Sequence, residues 1–212
     1  MAINISKGFC YSKQCAYDLG TRFQFPPPDV LTITLDYNIL PGAVVDPNSV
    51  SDWNTYLNFL DGALQPYEFD SVVYDPAGPQ VVLYGNSSIN IIITSQSGLT
   101  QDAGIANISD DGLIIELGNL ALFNTFNLQN LISESIVTIG DVAFRGSGIV
   151  FQYTPNCTQL GETSGDDGVY LNVIDPITVF VSSVLETNNG GNPDGDIDFL
   201  LTNYPGSTVT YI

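Results

Sequence analysis

The chain has 212 residues, of which 44% are hydrophobic and 13% are charged, so it is long enough for one domain with a substantial core. Its formal net charge of −19, with four lysines and arginines and no histidine, excludes a basic nucleic-acid-binding face and removes the commonest general base. The same charge argues against binding to anionic membranes.

The first 28 residues are predicted to form an N-terminal arm that differs from the acidic remainder. Three of the four cations fall within the first 22 residues, and Pro26-Pro27-Pro28 is a stiff, extended spacer. We predict an assembly contact with another subunit, made by Lys7, Phe9, Tyr11, Lys13, Tyr17 and Arg22. An ordinary N-terminal strand and loop is the alternative. Cys10 and Cys15 are either free thiols or a bridged pair.

Residues 29–70 are predicted to form a strand and a short helix that lead into the main domain. Val30–Leu35 is rich in β-branched residues, which is typical of a strand. Ser51 or Asp52 is suited to cap a helix that ends at Asp61-Gly62. The apolar face of this helix is predicted to consist of Trp53, Tyr56, Leu57 and Leu60.

Residues 71–212 are predicted to form a β-rich, repeat-like domain with a C-terminal cap. Short apolar runs follow one another too closely for βαβ units, which favours a solenoid or a sandwich. Asn192 and Pro193 are suited to begin a helix that extends to Tyr204 and covers the end of the core. The predicted strands are Ser71–Tyr74, Gln80–Tyr84, Ile89–Thr94, Leu113–Leu117, Ile136–Ile139, Ile149–Tyr153, Val169–Ile174, Ile177–Ser182 and Thr208–Tyr211.

A motif recurs within this part of the chain. The sequence from Leu117 to Leu122 returns from Ile139 to Phe144, an offset of 22 residues, and Leu160-Gly161 is a weaker copy 21 residues further on. Periods of roughly 20–29 residues are typical of leucine-rich-repeat solenoids. If the copies stack, Ile139 and Phe144 lie in one continuous core. Glycine turns that recur by chance between strands are the alternative.

The segment from Glu134 to Val173 resembles the surface repeats called BspA-like, in which a short strand leads into an "IG-x-x-AF" turn. The last 28 residues are similar to a C-terminal cap that follows such repeats in predicted tail and surface proteins of phages infecting Bacteroidetes. The resemblance extends over roughly residues 50–212. It implies a mainly β fold, namely a short leucine-rich-repeat-like solenoid with a few short helices.

Two groups of acidic residues are candidates, one for a calcium site and the other for a catalytic pair of carboxylates. The loop from Asn188 to Asp198 is dense in oxygen ligands, and its calcium candidates are Asp194, Asp196 and Asp198, but it lacks the glutamate that ends an EF-hand loop. We interpret it as the start of a helix, where acids are favoured. Paired carboxylates such as Glu116 and Glu162 could support glycoside hydrolysis. Neither lies in a recognisable catalytic motif, so we predict no enzyme activity and no cofactor.

These observations favour a phage virion structural protein, associated with a tail or fibre and carrying a projecting adhesion domain. The expected partners are other virion subunits, bound through the arm, and a host surface glycan or protein. We expect a homo-oligomer within the particle, no nucleic-acid binding and no membrane insertion. The chain begins with no secretory pattern, which fits a virion component released by lysis. A head-surface decoration protein is the alternative, and a carbohydrate-active enzyme on a β-scaffold is the third class.

Overall fold

The computed structural model describes residues 30–62, 65–161, 168–174 and 176–212. The predicted arm, residues 1–28, and its six contact residues lie outside this part of the chain. The described part is mainly β. Its strands are β1 (Val30–Tyr37), β2 (Leu60–Asp61), β3 (Ser71–Asp75), β4 (Gln80–Asn86), β5 (Ile91–Ile93), β6 (Ile105–Asp110), β7 (Ile114–Leu117), β8 (Asn130–Ser133), β9 (Thr138–Ile139), β10 (Phe151–Thr154), β11 (Gln159–Leu160), β12 (Thr178–Val181) and β13 (Thr208–Tyr211).

The strands form two sheets between which the chain alternates. Sheet A has eight strands in the order β13-β12-β10-β8-β6-β1-β4-β3, and sheet B has five in the order β11-β9-β7-β5-β2. From β5 to β12 each successive strand enters the other sheet, and the strands from β6 to β13 in sheet A are parallel to one another. This arrangement is a β-solenoid of about four coils.

The strand register follows the repeat that is visible in the sequence. In sheet B, Leu117 is aligned with Ile139, and Ile139 is aligned with Leu160. The residues that begin the three motif copies therefore lie directly above one another. The predicted stacking of the copies is confirmed, because chance glycine turns would not place these positions in register.

The turns after the first two motif copies also stack on each other. Leu120 and Val142 occupy the same position in successive copies, and both adopt a left-handed conformation, with φ of 61° and 52°. The backbone N–H of Leu120 donates to the carbonyl of Asp141 in the next coil at 3.1 Å. A Cβ atom on Gly140 would lie only 2.7 Å from the backbone nitrogen of Asn119, so only glycine allows the coils to approach this closely.

The core lies between the two sheets and continues from coil to coil. Ile139 and Phe144 are both 0% exposed, as the repeat predicts. Phe144 stacks on Tyr170 of the following coil, with ring centroids 5.8 Å apart. The aromatic rings of successive coils thus belong to one hydrophobic cluster.

Two helices and one 3-10 turn complete the described part: α1 (Val50–Leu57), η1 (Ser183–Glu186) and α2 (Gly195–Asn203). Helix α1 is capped by Ser49, so the prediction of Ser51 or Asp52 was wrong. It ends at Asn58, whose left-handed φ of 44° turns the chain, and Leu60 lies in β2 instead. None of the described helices is long and apolar enough to cross a membrane.

Sequence patterns also misplaced some strands. The segment Val169–Ile174 was predicted to be a strand, but it forms turns that bury Val169 and Tyr170 against the core. Conversely, β6 and β8 were not predicted. Both contain asparagine and serine among their apolar residues, because one face of each strand points away from the core. Short half-polar strands of this kind carry a weak hydrophobic signal.

Candidate functional site

The outward face of sheet A is the candidate functional site. Along β8, β10, β12 and β13, every second residue is buried or packs on the core, and its neighbours point outward. We call the outward residues of five parallel strands the outer face. It consists of Asn107 and Ser109 on β6, Asn130 and Ile132 on β8, Phe151 and Tyr153 on β10, Thr178 and Phe180 on β12, and Thr208 and Thr210 on β13.

Three aromatic rings lie together at the centre of this face. The ring centroid of Phe180 is 5.7 Å from that of Phe151 and 5.8 Å from that of Tyr153, and both pairs are tilted by 52°. On the neighbouring strand, Ile132 is aligned with Tyr153 and is 40% exposed. The three rings and the isoleucine form a small apolar area on the outward side of sheet A.

A ladder of polar side chains borders the rings. The Asn130 amide donates to Asn107 Oδ1 at 2.5 Å, and the Asn107 amide donates to Asp36 Oδ2 at 3.2 Å. The Gln80 amide donates to the other oxygen of Asp36 at 2.7 Å. The ladder crosses four neighbouring strands of sheet A and holds the Asp36 carboxylate between two amides.

The outer face bears no charged side chain, although the protein around it is strongly acidic. Residues 30–212 contain 21 of the chain's 23 aspartates and glutamates and one of its four cations, Arg145. None of the ten outer-face residues is among them. These ten residues therefore provide no group that could form an ion pair.

Buried polar groups support the strand that carries two of the rings. Beneath the outer face, Tyr170 Oη donates to Gln152 Oε1 at 2.8 Å, and Gln152 Nε2 donates to Thr154 Oγ1 at 2.9 Å. Burial raises the pKa of the Tyr170 hydroxyl well above its ordinary value, so the hydroxyl stays a neutral donor. Because β10 is fixed from below, its outward rings are held in place.

The predicted calcium candidates have structural partners. Asp194, and not Asn192, is the N-cap of α2: it accepts from the backbone N–H of Asp196 at 3.1 Å and from the Asn188 amide at 2.8 Å. Asp196 Oδ1 accepts from the backbone N–H of Val169 at 2.6 Å, whereas Asp198 is exposed. Within the described ranges no group of three or more histidine, cysteine, aspartate or glutamate side chains is arranged to hold a metal.

The remaining candidates are separated from the outer face. Glu116 lies on β7 of sheet B, aligned with Thr138, and Glu162 falls outside the described residues. Cys157 is fully buried, and its burial raises the thiol pKa from an ordinary 9.0 to about 12, which makes it unreactive. The outer face itself was not predicted, because its residues come from five separate strands and only the strand alignment brings them together.

No protein-family model, curated protein or solved structure matches the chain.

Proposed function

We propose that the protein is a non-enzymatic structural protein of a phage virion, associated with the tail or a fibre, whose β-solenoid projects from the particle and binds the host surface. The observation that carries this proposal is the outer face, where rings, amides and hydroxyls, but no charged side chain, lie on five parallel strands. Extended faces of stacked repeats are common binding surfaces. Tyrosine, asparagine and serine are frequent in binding surfaces of other folds.

The type of solenoid is part of the proposal. The BspA-like resemblance of residues 50–212 supports coils of a degenerate leucine-rich-repeat type, as in surface modules of phages that infect Bacteroidetes. The register spacing of 22 and then 21 residues between Leu117, Ile139 and Leu160 agrees with the length of such repeats. The N-terminal arm is proposed to attach the protein to a neighbouring virion subunit, because its cations complement the acidic charge of residues 30–212.

The test is to locate the protein on the particle and to measure cell binding by the purified full chain. We expect antibodies to label the tail, at a low copy number, and we expect the isolated protein to bind Bacteroidetes cells. Deletion of residues 1–22 is expected to leave a folded protein, judged by circular dichroism, that binds cells but no longer joins particles. Dense labelling of the head would instead establish a decoration protein. Release of sugar from host polysaccharide would establish an enzyme.

A further inference from the structure

We propose that the outer face binds a neutral polysaccharide, laid across the parallel strands of sheet A. This inference rests on the proposed function, since it names the ligand class and the residues of the adhesion surface. Its first support is the cluster of Phe151, Tyr153 and Phe180. Aromatic rings on an open surface provide apolar contact area at a low entropic cost, and the C–H faces of sugar rings match such surfaces.

The second support is the set of hydrogen-bonding groups around the rings. Ser109, Thr178, Thr208 and Thr210 present hydroxyls, and each hydroxyl can donate once and accept twice. Sugar hydroxyls have the same dual capacity. The Asn130 amide nitrogen carries two hydrogens, and its bond to Asn107 uses one of them. The face therefore provides donors and acceptors on both sides of the rings.

The third support is charge, which selects among polysaccharides. An anionic polymer would be repelled by a body with 21 acidic residues and would find no cation on the outer face. A cationic polymer would find no carboxylate among the ten outer-face residues. At the border, Asp36 already accepts from Gln80 and Asn107, Asp111 accepts from the Thr32 hydroxyl, and Glu134 lies beyond the end of β8. A neutral polymer is not repelled by the acidic residues and needs no charged partner on the outer face.

The dimensions favour a polymer over a single sugar. The outer-face residues lie in two rows that cross the strands, one from Asn107 to Thr208 and the other from Ser109 to Thr210. Five strands at the usual interstrand spacing extend about 19 Å, which is longer than one sugar ring. We therefore expect affinity to rise with chain length.

Affinity gel electrophoresis of the full chain tests the proposal, with neutral glucan, mannan and galactan as probes and alginate as the anionic comparison. We expect at least one neutral polymer to retard the protein with little dependence on salt, and we expect alginate to have no effect. Tyr153→Ala and Phe180→Ala should each weaken the retardation roughly tenfold or more, as aromatic anchors do at other interfaces. Phe126→Ala is the matched control, because Phe126 is 53% exposed and lies outside the outer face.

Each variant is compared with the unchanged protein by thermal unfolding, and Tyr153→Phe, which keeps the ring, should retain most of the binding. The proposal is overturned if no neutral polymer binds, or if Tyr153→Ala and Phe126→Ala bind alike. Cell binding that survives both outer-face substitutions would overturn it while leaving the adhesion function intact. Sedimentation provides a further outcome. If the unchanged protein self-associates and the Tyr153→Ala variant is monomeric, the outer face is instead a contact between copies of this chain.

Discussion

The hydroxyl of Tyr56 donates a 2.7 Å hydrogen bond to Asp102 Oδ2, across 46 residues of sequence. Tyr56 lies on α1, and Asp102 precedes the first strand of the parallel stack in sheet A. The same hydroxyl lies 2.6 Å from the carbonyl of Gly98, and Asp102 Oδ1 accepts from the backbone N–H of Gly104. The pair therefore ties the helix to the beginning of the solenoid, and burial raises the pKa of Tyr56 above its ordinary value.

Removal of this hydroxyl should weaken the attachment of α1. Tyr56→Phe is expected to lower the free energy of unfolding by about 1–2 kcal/mol, since Asp102 loses a donor in a mostly buried site. A double-mutant cycle with Asp102→Asn, measured by urea unfolding, should show a coupling of at least about 0.5 kcal/mol. Additive effects of the two substitutions would contradict the direct contact.

The stacked aromatic core should be sensitive to truncation. Phe144→Ala is expected to destabilise the protein by about 3–5 kcal/mol, because it removes a fully buried ring that stacks on Tyr170. Phe126→Ala, at an exposed position, should change stability by no more than about 0.5 kcal/mol. Chemical denaturation of both variants measures the difference. A tolerated Phe144→Ala would count against a continuous core.

Stability should fall at alkaline pH partly because of Cys157. Its thiol pKa is raised by burial to about 12, so the native state keeps the proton that the unfolded chain releases near pH 9. The stabilisation is complete below pH 9 and is lost between pH 9 and pH 12, by about 1.4 kcal/mol per pH unit.

Buried tyrosines also keep their protons to a higher pH than exposed tyrosines, so they too contribute to the loss of stability at alkaline pH. Comparison with Cys157→Ala isolates the contribution of the thiol. Between pH 9 and pH 10 the unfolding free energy of this variant should decline less steeply than that of the unchanged protein. Equal slopes in the two proteins would show that the thiol titrates normally in the folded state.

The aspartates before α2 should stabilise the fold without calcium. Asp196→Ala is expected to cost about 1–3 kcal/mol, because the buried backbone N–H of Val169 loses its acceptor. Asp198→Ala, at an exposed position of the same helix, is the matched control and should have a small effect.

Calcium at sub-millimolar concentration should not change the melting temperature of the unchanged protein. A shift of several degrees at micromolar calcium, abolished in Asp196→Ala, would establish a metal site.

Local patterns in the sequence predicted the elements that have strong local signals. Strand β13 was predicted with its observed bounds, Thr208–Tyr211, because its alternating pattern is clear. The start of α2 was predicted two residues too early, because Asn192 and Pro193 are also good residues for a helix start. The tertiary contact of Asp196 with Val169 favours the later start, and no local pattern contains that contact.

The sequence by itself determined the β-rich class and the step of the repeat, because a recurring glycine turn and regular apolar spacing are local properties of the chain. The tertiary structure alone decided which outward residues meet. Asn130, Phe151 and Thr178 are separated by more than 20 residues at each step and become neighbours only when parallel strands pair in register. A side chain on a strand has one neighbour two positions away on the same strand, which can be identified from the sequence. Its other neighbour lies on the adjacent strand and is determined only when the strands pair. The candidate binding surface therefore could not be predicted from composition or periodicity.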